Sequence, residues 1–576
     1  MNFSNSENES PPLELLYQLL GLYRNGKLKD AEELSLEITQ KFPKHQLAWK
    51  VLGGLLAATG RISEAIDANQ TAVALSPQDA EAHNNLGVSL QNLGKLKEAE
   101  LSFIQAIALK PDYAEAYSNF GFMLKEVGRF HEAVANCNQA IALKPGLAGA
   151  HNNLGIALQE LLKFDEAEKS YRQAIAFKPE YVEAHSNLGS LLQEQGKLDK
   201  AEESYNQALS LKPDYANALD NLGSLHHEWG NFSKAESSYK QAIALTTDNA
   251  RIYLNLSITY LLRGRFDKGL QLYEYRLQDK SNTTPIPKPN LTWDGSGKVD
   301  GKKFLVYEEQ GLGDIIQFSR YLTMLEAKGA IVTFKVTAKL HALLKTMRNS
   351  VNLSEVHLNE SDIDFEAPLM SLPLLFDTHK ESIPVQSSYL LADPGKIANF
   401  ASKLRGKSFK VGICWQGGLS KVDKGRSFPL SLFKSISELS DIELISLQKG
   451  EGENQISEVT FDIKSFGADL DQGQDAFLDT AALIVNCDLI ITSDTAVAHL
   501  AGALGCPTWV ALKRIPDWRW MLETTSTPWY PSMKLYRQRK AGDWDSVFHR
   551  IKKDLSNLIE NKLASEGVNP NAKSVY

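Results

Sequence analysis

Apolar and small residues return along the first half of the chain at one fixed interval, with polar residues between them. Leu86, Phe120, Leu154, Leu188, Leu222 and Leu256 stand 34 residues apart. Phe103, Tyr171, Tyr205, Tyr239 and Tyr273 keep the same register on a second stretch, with Cys137 in the gap between the first two. Small residues mark both stretches: Gly53, Gly87, Gly121, Gly155, Gly189 and Gly223 on one, and Ala31, Ala65, Ala99, Ala133, Ala167, Ala201 and Ala235 on the other. Ten residues before each glycine stands a proline, at Pro43, Pro77, Pro111, Pro145, Pro179 and Pro213. This pattern predicts helical hairpins. Small residues let two helices approach closely, and a proline, which has no backbone N–H, ends the second helix. One hairpin cannot bury its apolar face alone, so stacking of about eight units over residues 12–283 is expected, behind a disordered start at 1–11.

The 34-residue interval is that of the tetratricopeptide repeat. His83, His151 and His185 share a site with Trp49, Tyr117 and Tyr253. A position that accepts any flat ring reads as packing rather than metal binding, and Cys137 reads as a buried thiol. A different column has no packing rationale: Asn85, Asn119, Asn153, Asn187, Asn221 and Asn255, one amide per repeat. Such a ladder has donors and acceptors to pair with the backbone of an extended peptide, or it braces neighbouring repeats. Both uses remain open. In this column the array resembles the repeat half of O-linked N-acetylglucosamine transferases over about residues 46–260. That resemblance implies a concave face that holds acceptor protein.

The repeats fade at Thr247 and Gly269, and SNTTPIPKPNLTWDGSG reads as a boundary, giving a linker over 284–302. Beyond it the pattern becomes strand, turn, helix, strand: KFLVYEE, QGLGD, IIQFSRYLTMLEAKG, AIVTFKV. A second series begins at KVGICWQGG and runs through IELISLQKG, NCDLIITSD, TAVAHLAGALG and PTWVAL. Two Rossmann-like lobes are expected, at 303–395 and 396–560, followed by a tail at 561–576. Ligands of such sheets gather at the carboxyl ends of strands, where Gly-Leu-Gly-Asp and Thr-Ser-Asp-Thr both fall. The helix after Asp494 and Thr495 presents the amides of Thr495, Ala496 and Val497, which suit a diphosphate unless a side chain merely caps them.

Taken together, GLGD, KGRSFP and SDTAVAHLAGALGCP resemble glycosyltransferases related to the ADP-heptose heptosyltransferases, over about residues 303–550. The resemblance implies a GT-B fold, so the fold class expected is an all-α tetratricopeptide solenoid followed by an α/β domain of two Rossmann-like lobes. It further implies Asp314 as general base, in a loop with Gly311 and Gly313. Arg426, Asp494, Thr495, Ala496, Val497 and His499 are implied around the donor's phosphates. Charge builds on the leaving nucleotide during transfer, so fixed amides and a guanidinium act where it develops, and a metal is not required. No Asp-x-Asp pair lies within these motifs. The local alternatives are that Asp314 only caps its helix and that Arg426, with Lys421 and Lys424, sits in a solvated loop. Trp518, Trp520, Trp529 and Tyr530 either stack on a base or sugar or staple a C-terminal segment, and Arg519 has the chemistry to pair with an acid. Glu451 and Glu453 are placed to meet ribose hydroxyls.

A net charge of -8 excludes a general nucleic-acid or membrane-surface role. Four cysteines without CxxC spacing give neither a disulfide framework nor a zinc ribbon. Without a signal-like start or a long apolar run, a cytoplasmic location and no membrane span are expected. The expected function is inverting, metal-independent transfer of a sugar from a nucleotide-sugar co-substrate, with no bound cofactor, to Ser or Thr of a protein held by the repeats. Repeat-bearing bacterial transferases of this organisation make flagellin one acceptor to consider. The alternatives are a heptosyltransferase-like enzyme acting on a glycan or lipid-linked acceptor, with repeats used for homo-oligomer assembly, and a non-catalytic scaffold.

Overall fold

The computed structural model describes residues 10–279, 284–347, 350–356, 358–406, 408–418, 425–472, 476–522 and 524–565. Most of the expected N-terminal disorder (1–9), Lys421 and Lys424, and the tail from 566 lie outside the described residues. The chain divides into two compact units, with the boundary between Leu225 and His226.

The first unit contains six complete helical hairpins, from Leu13–Arg24 with Leu28–Lys41 to Val182–Glu194 with Leu198–Leu211. Their periodic residues do what the pattern predicts. Ala99, Phe103, Ala133, Cys137, Ala167 and Tyr171 are fully or almost fully buried. Gly155 is required by close approach, because a Cβ there would lie 2.6 Å from the ring of Tyr171. Burial pushes the Cys137 thiol up to about 12, so it packs as an apolar group. The flat-ring column has a specific task. Trp49 Nε1 donates to the Pro43 carbonyl at 2.8 Å, and the Nε2 atoms of His83, His151 and His185 lie 3.0, 2.8 and 2.9 Å from the carbonyls of Pro77, Pro145 and Pro179. Each ring thereby satisfies a carbonyl just past a helix C-terminus. The hairpin turns use a left-handed residue, Gly94 at φ 82°, Gly128 at 77° and Gly196 at 73°. Leu162 takes that place in one repeat at φ 59°, with its side chain in solvent.

The second unit begins with further helices, Phe232–Leu245, Ala250–Leu262 and Phe266–Tyr273, the last continuing as a 3-10 turn over Glu274–Gln278. Two parallel sheets follow. Strands β1 (Lys303–Tyr307), β2 (Ile331–Lys335), β3 (Asn352–Ser354) and β4 (Phe365–Pro368) lie in the order β3-β2-β1-β4. Strands β5 (Phe409–Cys414), β6 (Ile442–Ser446), β7 (Leu489–Thr492), β8 (Thr508–Leu512) and β9 (Met533–Arg537) lie in the order β6-β5-β7-β8-β9. Strands flanked on both faces read as continuous apolar runs, and β7 and β8 are buried at every position.

The proline-rich segment expected as a linker is part of the first sheet's core. Leu291, Trp293 and Val299 are buried, and the Trp293 ring packs edge-on against Phe304 and Phe376. Lys288 N–H donates to the Glu366 carboxylate at 2.7 Å, and Glu366 N–H to the Leu291 carbonyl at 2.8 Å. No helix among the described residues is long and apolar enough to cross a membrane.

Candidate functional site

In the second sheet the order of strands reverses beside β5, between β6 and β7, and the carboxyl ends there open a crevice. A cavity of about 540 Å³ occupies it, lined by Cys414 and Gln416 after β5, Lys449 and Glu451 after β6, and Thr495, Ala496 and Val497 after β7. Leu312 of the GLGD loop, Lys339, Asp471 and Phe477 also line it. Gln448 ties two strand ends together. Its Oε1 accepts from the N–H groups of Trp415 and Gln416, each at 3.0 Å, and its Nε2 donates to the carbonyls of Gln416 and Glu451 at 2.8 and 2.7 Å.

The helix Ala496–Ala503 starts at this cavity with Thr495 in the N-cap position. Neither Asp494 nor Thr495 caps it as sequence chemistry allowed: Thr495 makes no side-chain cap hydrogen bond, and its hydroxyl lies 3.2 Å from that of Thr492 instead. The amides of Ala496 and Val497 therefore head a helix without a side-chain cap, where the backbone dipole favours an anion. Of the two glutamates proposed for ribose, Glu451 lines the cavity, whereas Glu453 accepts from Gly450 N–H at 2.6 Å and closes its own turn.

The predicted base Asp314 and the remaining predicted donor residues stand beside the cavity rather than in its lining. Asp314 Oδ2 accepts from Gly311 N–H at 3.0 Å, which is the reach-back half of a capping box, and its other oxygen pairs with Arg519. Arg519 also holds Asp517, with its Nη1 2.8 Å from Oδ1. Burial pulls the Arg519 guanidinium down, but Asp314 and Asp517 more than offset this and hold it well above its ordinary value. Burial and then Asp517 push the Asp494 carboxyl up to about 6, against the opposing pull of Arg426 and Arg519. Arg426 is thus within electrostatic reach of Asp494. Gly313 is required by the approach of two helices, since a Cβ there would lie 3.0 Å from His499 and 3.3 Å from Ala496 Cα.

His499 does not face the cavity. It is buried, stacked on Trp520 at 5.3 Å, with Nδ1 3.1 Å from the Tyr530 hydroxyl. Burial, aided by Arg519, lowers it to about 3. Its ordinary unfolded value lies near 6.5, so the unfolded chain binds a proton first and stability is lost as pH falls below that value. From pH 7 to pH 5 this one group should cost about 2 kcal/mol. His499→Gln should remove that component of the pH slope in urea denaturation, and an unchanged slope would assign the acid sensitivity elsewhere. Trp518, Trp520, Trp529 and Tyr530 are likewise buried, which makes them the staple and removes them as exposed stacking platforms.

In the first unit the asparagine ladder serves as the brace. Asn119 Nδ2 donates to Asn84 Oδ1 at 3.0 Å, Asn153 to the Ser118 carbonyl at 3.3 Å, Asn187 to Asn152 Oδ1 at 2.9 Å and Asn221 to Ser186 Oγ at 3.3 Å. Each bond ties a repeat to the one before it. Asn119, Asn153 and Asn187 also line a groove of about 610 Å³ with Phe122, Ile156 and Tyr181. An amide has further sites beyond one donated bond, so bracing and groove binding coexist. Asn85 is half-buried, and its carbonyl accepts from Ser89 Oγ at 3.0 Å; Asn255 lies in the second unit, where its carbonyl accepts from Thr259 Oγ1 at 2.9 Å.

Lys449, Phe477 and Gln448 are among the cavity residues that no motif marks. The end-of-strand rule applied to IELISLQKG would have found the first and last. Phe477 carried no such signal, because its role depends on a left-handed backbone at φ 68°.

Tetratricopeptide repeat families match residues 53–94, 80–113, 114–146, 147–214, 180–248 and 221–282, so this stretch consists of tetratricopeptide repeats. Protein–protein interaction is the use such repeats suggest. Protein FlbA of Caulobacter vibrioides is 27% identical over 311 residues, which is 49% of this chain and 51% of FlbA. The match thus spans about half of that relative's length. Among solved structures, the chain is similar to one from the Cut9–Hcn1 hetero-tetramer of the APC/C, at 18% identity and TM-score 0.40 over 48% of this chain and 55% of that one. It is also similar to PilF of Pseudomonas aeruginosa, at 21% identity and TM-score 0.32 over 36% of this chain and 94% of that one.

Proposed function

We propose that the protein is a glycosyltransferase of GT-B type that moves a sugar from a nucleotide-sugar donor to a Ser or Thr of a protein recruited by the repeats. The observation that carries this reading is the uncapped helix start at Thr495–Val497, which forms one wall of a cavity at the carboxyl ends of β5, β6 and β7. A cavity of about 540 Å³ suits a nucleotide-sized ligand. Helix amides and Arg426 stabilise the nucleotide phosphate as the anomeric C–O bond breaks. The acceptor hydroxyl oxygen attacks the anomeric carbon from the opposite face, and Asp314 takes its proton. A carboxylate has about four lone-pair positions, so the bonds from Gly311 and Arg519 leave room for that proton. The repeat groove supports a protein acceptor over a glycan.

Calorimetric titration with nucleotide sugars, including CMP-linked acidic sugars, tests the donor site. At least one donor should bind, and Arg426→Ala should weaken it about tenfold by loss of a charge-assisted contact. If no donor binds the parent chain, the transferase reading falls. If Arg426→Ala binds as tightly as the parent, Arg426 leaves the site.

A further inference from the structure

We infer that the last helical hairpin is a working part of the catalytic domain: Arg276 and Tyr273 are positioning residues that set the loop carrying Asp314. The consequence for rate rests on the glycosyltransferase reading, whereas the consequence for loop order does not.

The connection runs through side chains buried in one place. Arg276, on the 3-10 turn after the helix Phe266–Tyr273, is 3% exposed. Its Nε and Nη2 lie 3.0 and 2.8 Å from the two oxygens of Glu309, a bidentate pair. Glu309 stands two residues before Gly311 and also accepts from Met370 N–H at 2.7 Å. Nη2 of Arg276 reaches Ser371 Oγ at 2.8 Å, so the guanidinium joins the hairpin to two loops of the first sheet. Separating such a pair leaves a buried charge without its partner, so the guanidinium opposes displacement of either loop.

Tyr273 holds the next residue. Gln310 Nε2 donates to the Tyr273 hydroxyl at 2.9 Å. Gln310 has φ 63°, a left-handed conformation that a side-chain-bearing residue keeps only where its surroundings impose it. The turn it makes directs the chain into Gly311 and Asp314. The other restraint on Asp314 starts from the same hairpin, since Tyr273 packs edge-on against Trp518 at 6.0 Å and Arg519 lies 4.7 Å over the Trp518 ring. Both the loop before Asp314 and the arginine paired with it are therefore seated against one helix end.

Hydrogen–deuterium exchange and steady-state donor hydrolysis on the full chain test this. Tyr273→Phe removes a single hydroxyl and keeps the ring packing. Its amides over residues 311–315 should exchange about tenfold faster than the parent's, while those of Ala496–His499 stay unchanged. For hydrolysis, kcat should fall about tenfold with donor KM unchanged, a split that general destabilisation does not produce. Arg276→Lys keeps the charge but not the bidentate reach and should act in the same direction; if it does not fold, Tyr273→Phe carries the test alone. Unchanged exchange at 311–315 in Tyr273→Phe overturns the positioning role whatever the activity. Faster exchange in a protein that turns over no nucleotide sugar upholds the positioning and overturns the transferase reading instead.

Discussion

Asp314→Asn is expected to lower sugar transfer by about 100- to 10,000-fold, the range that a lost general base costs, while donor affinity changes little. The amide keeps the shape of the carboxylate and an oxygen to accept from Gly311 N–H, so the start of the helix Leu312–Phe318 should survive. It cannot take the acceptor's proton. The pairing with Arg519 adds a second consequence: the substitution leaves a guanidinium, 7% exposed at its side chain, with Asp517 as its remaining ion-pair partner. Some loss of stability should accompany the loss of rate, on the order of 1–3 kcal/mol. Parallel melts and single-turnover rates separate the two effects. Equal turnover by variant and parent would return Asp314 to a purely structural role.

The second large effect concerns acceptor recognition. Changing Asn119, Asn153, Asn187 and Asn221 together to Ala should raise the KM for a protein acceptor about 100-fold, from roughly 1 kcal/mol or less per lost backbone contact. Because these amides also brace the repeats, the array should melt at a lower temperature as well. A control resolves the overlap. Asn84→Ala removes the partner of Asn119, lies outside the groove lining and leaves the ladder itself in place. That variant should lose stability and keep acceptor affinity. If instead both variants lose affinity in proportion to stability, the ladder is a brace only and the groove is not the acceptor site.

The repeat half was legible in sequence because one geometric demand recurs every 34 residues. Where helix must touch helix, Gly155 faces Tyr171 just as Gly189 faces Tyr205, and the demand writes a column. The strands were legible for a similar reason, since burial on both faces makes β7 and β8 apolar at all but one position each. The pairing of Arg519 with Asp314 was only half legible. An arginine that pairs with an acid is a local reading, but the acid lies 205 residues earlier, and no pattern along the chain encodes that distance. The burial of Trp293 within the expected linker was hidden for a related reason. Prolines and polar residues around it suggested a tether, while its indole is buried against Phe304 and Phe376 from elements that the local composition does not reveal. The merging of the last hairpin with the α/β region was hidden as well, because Phe266, Leu270 and Tyr273 continue the repeat pattern while packing into the core of the second unit.

The central claim is that one chain both holds a protein and glycosylates it. Intact-mass measurement of protein acceptors incubated with the full chain and a panel of nucleotide sugars tests it most directly. The predicted result is a mass increase of one sugar residue on a Ser or Thr, dependent on donor, abolished in Asp314→Asn and reduced in the four-asparagine variant. A parent chain that binds and hydrolyses the donor yet leaves every protein unmodified, while adding sugar to a glycan or lipid-linked acceptor, would contradict it.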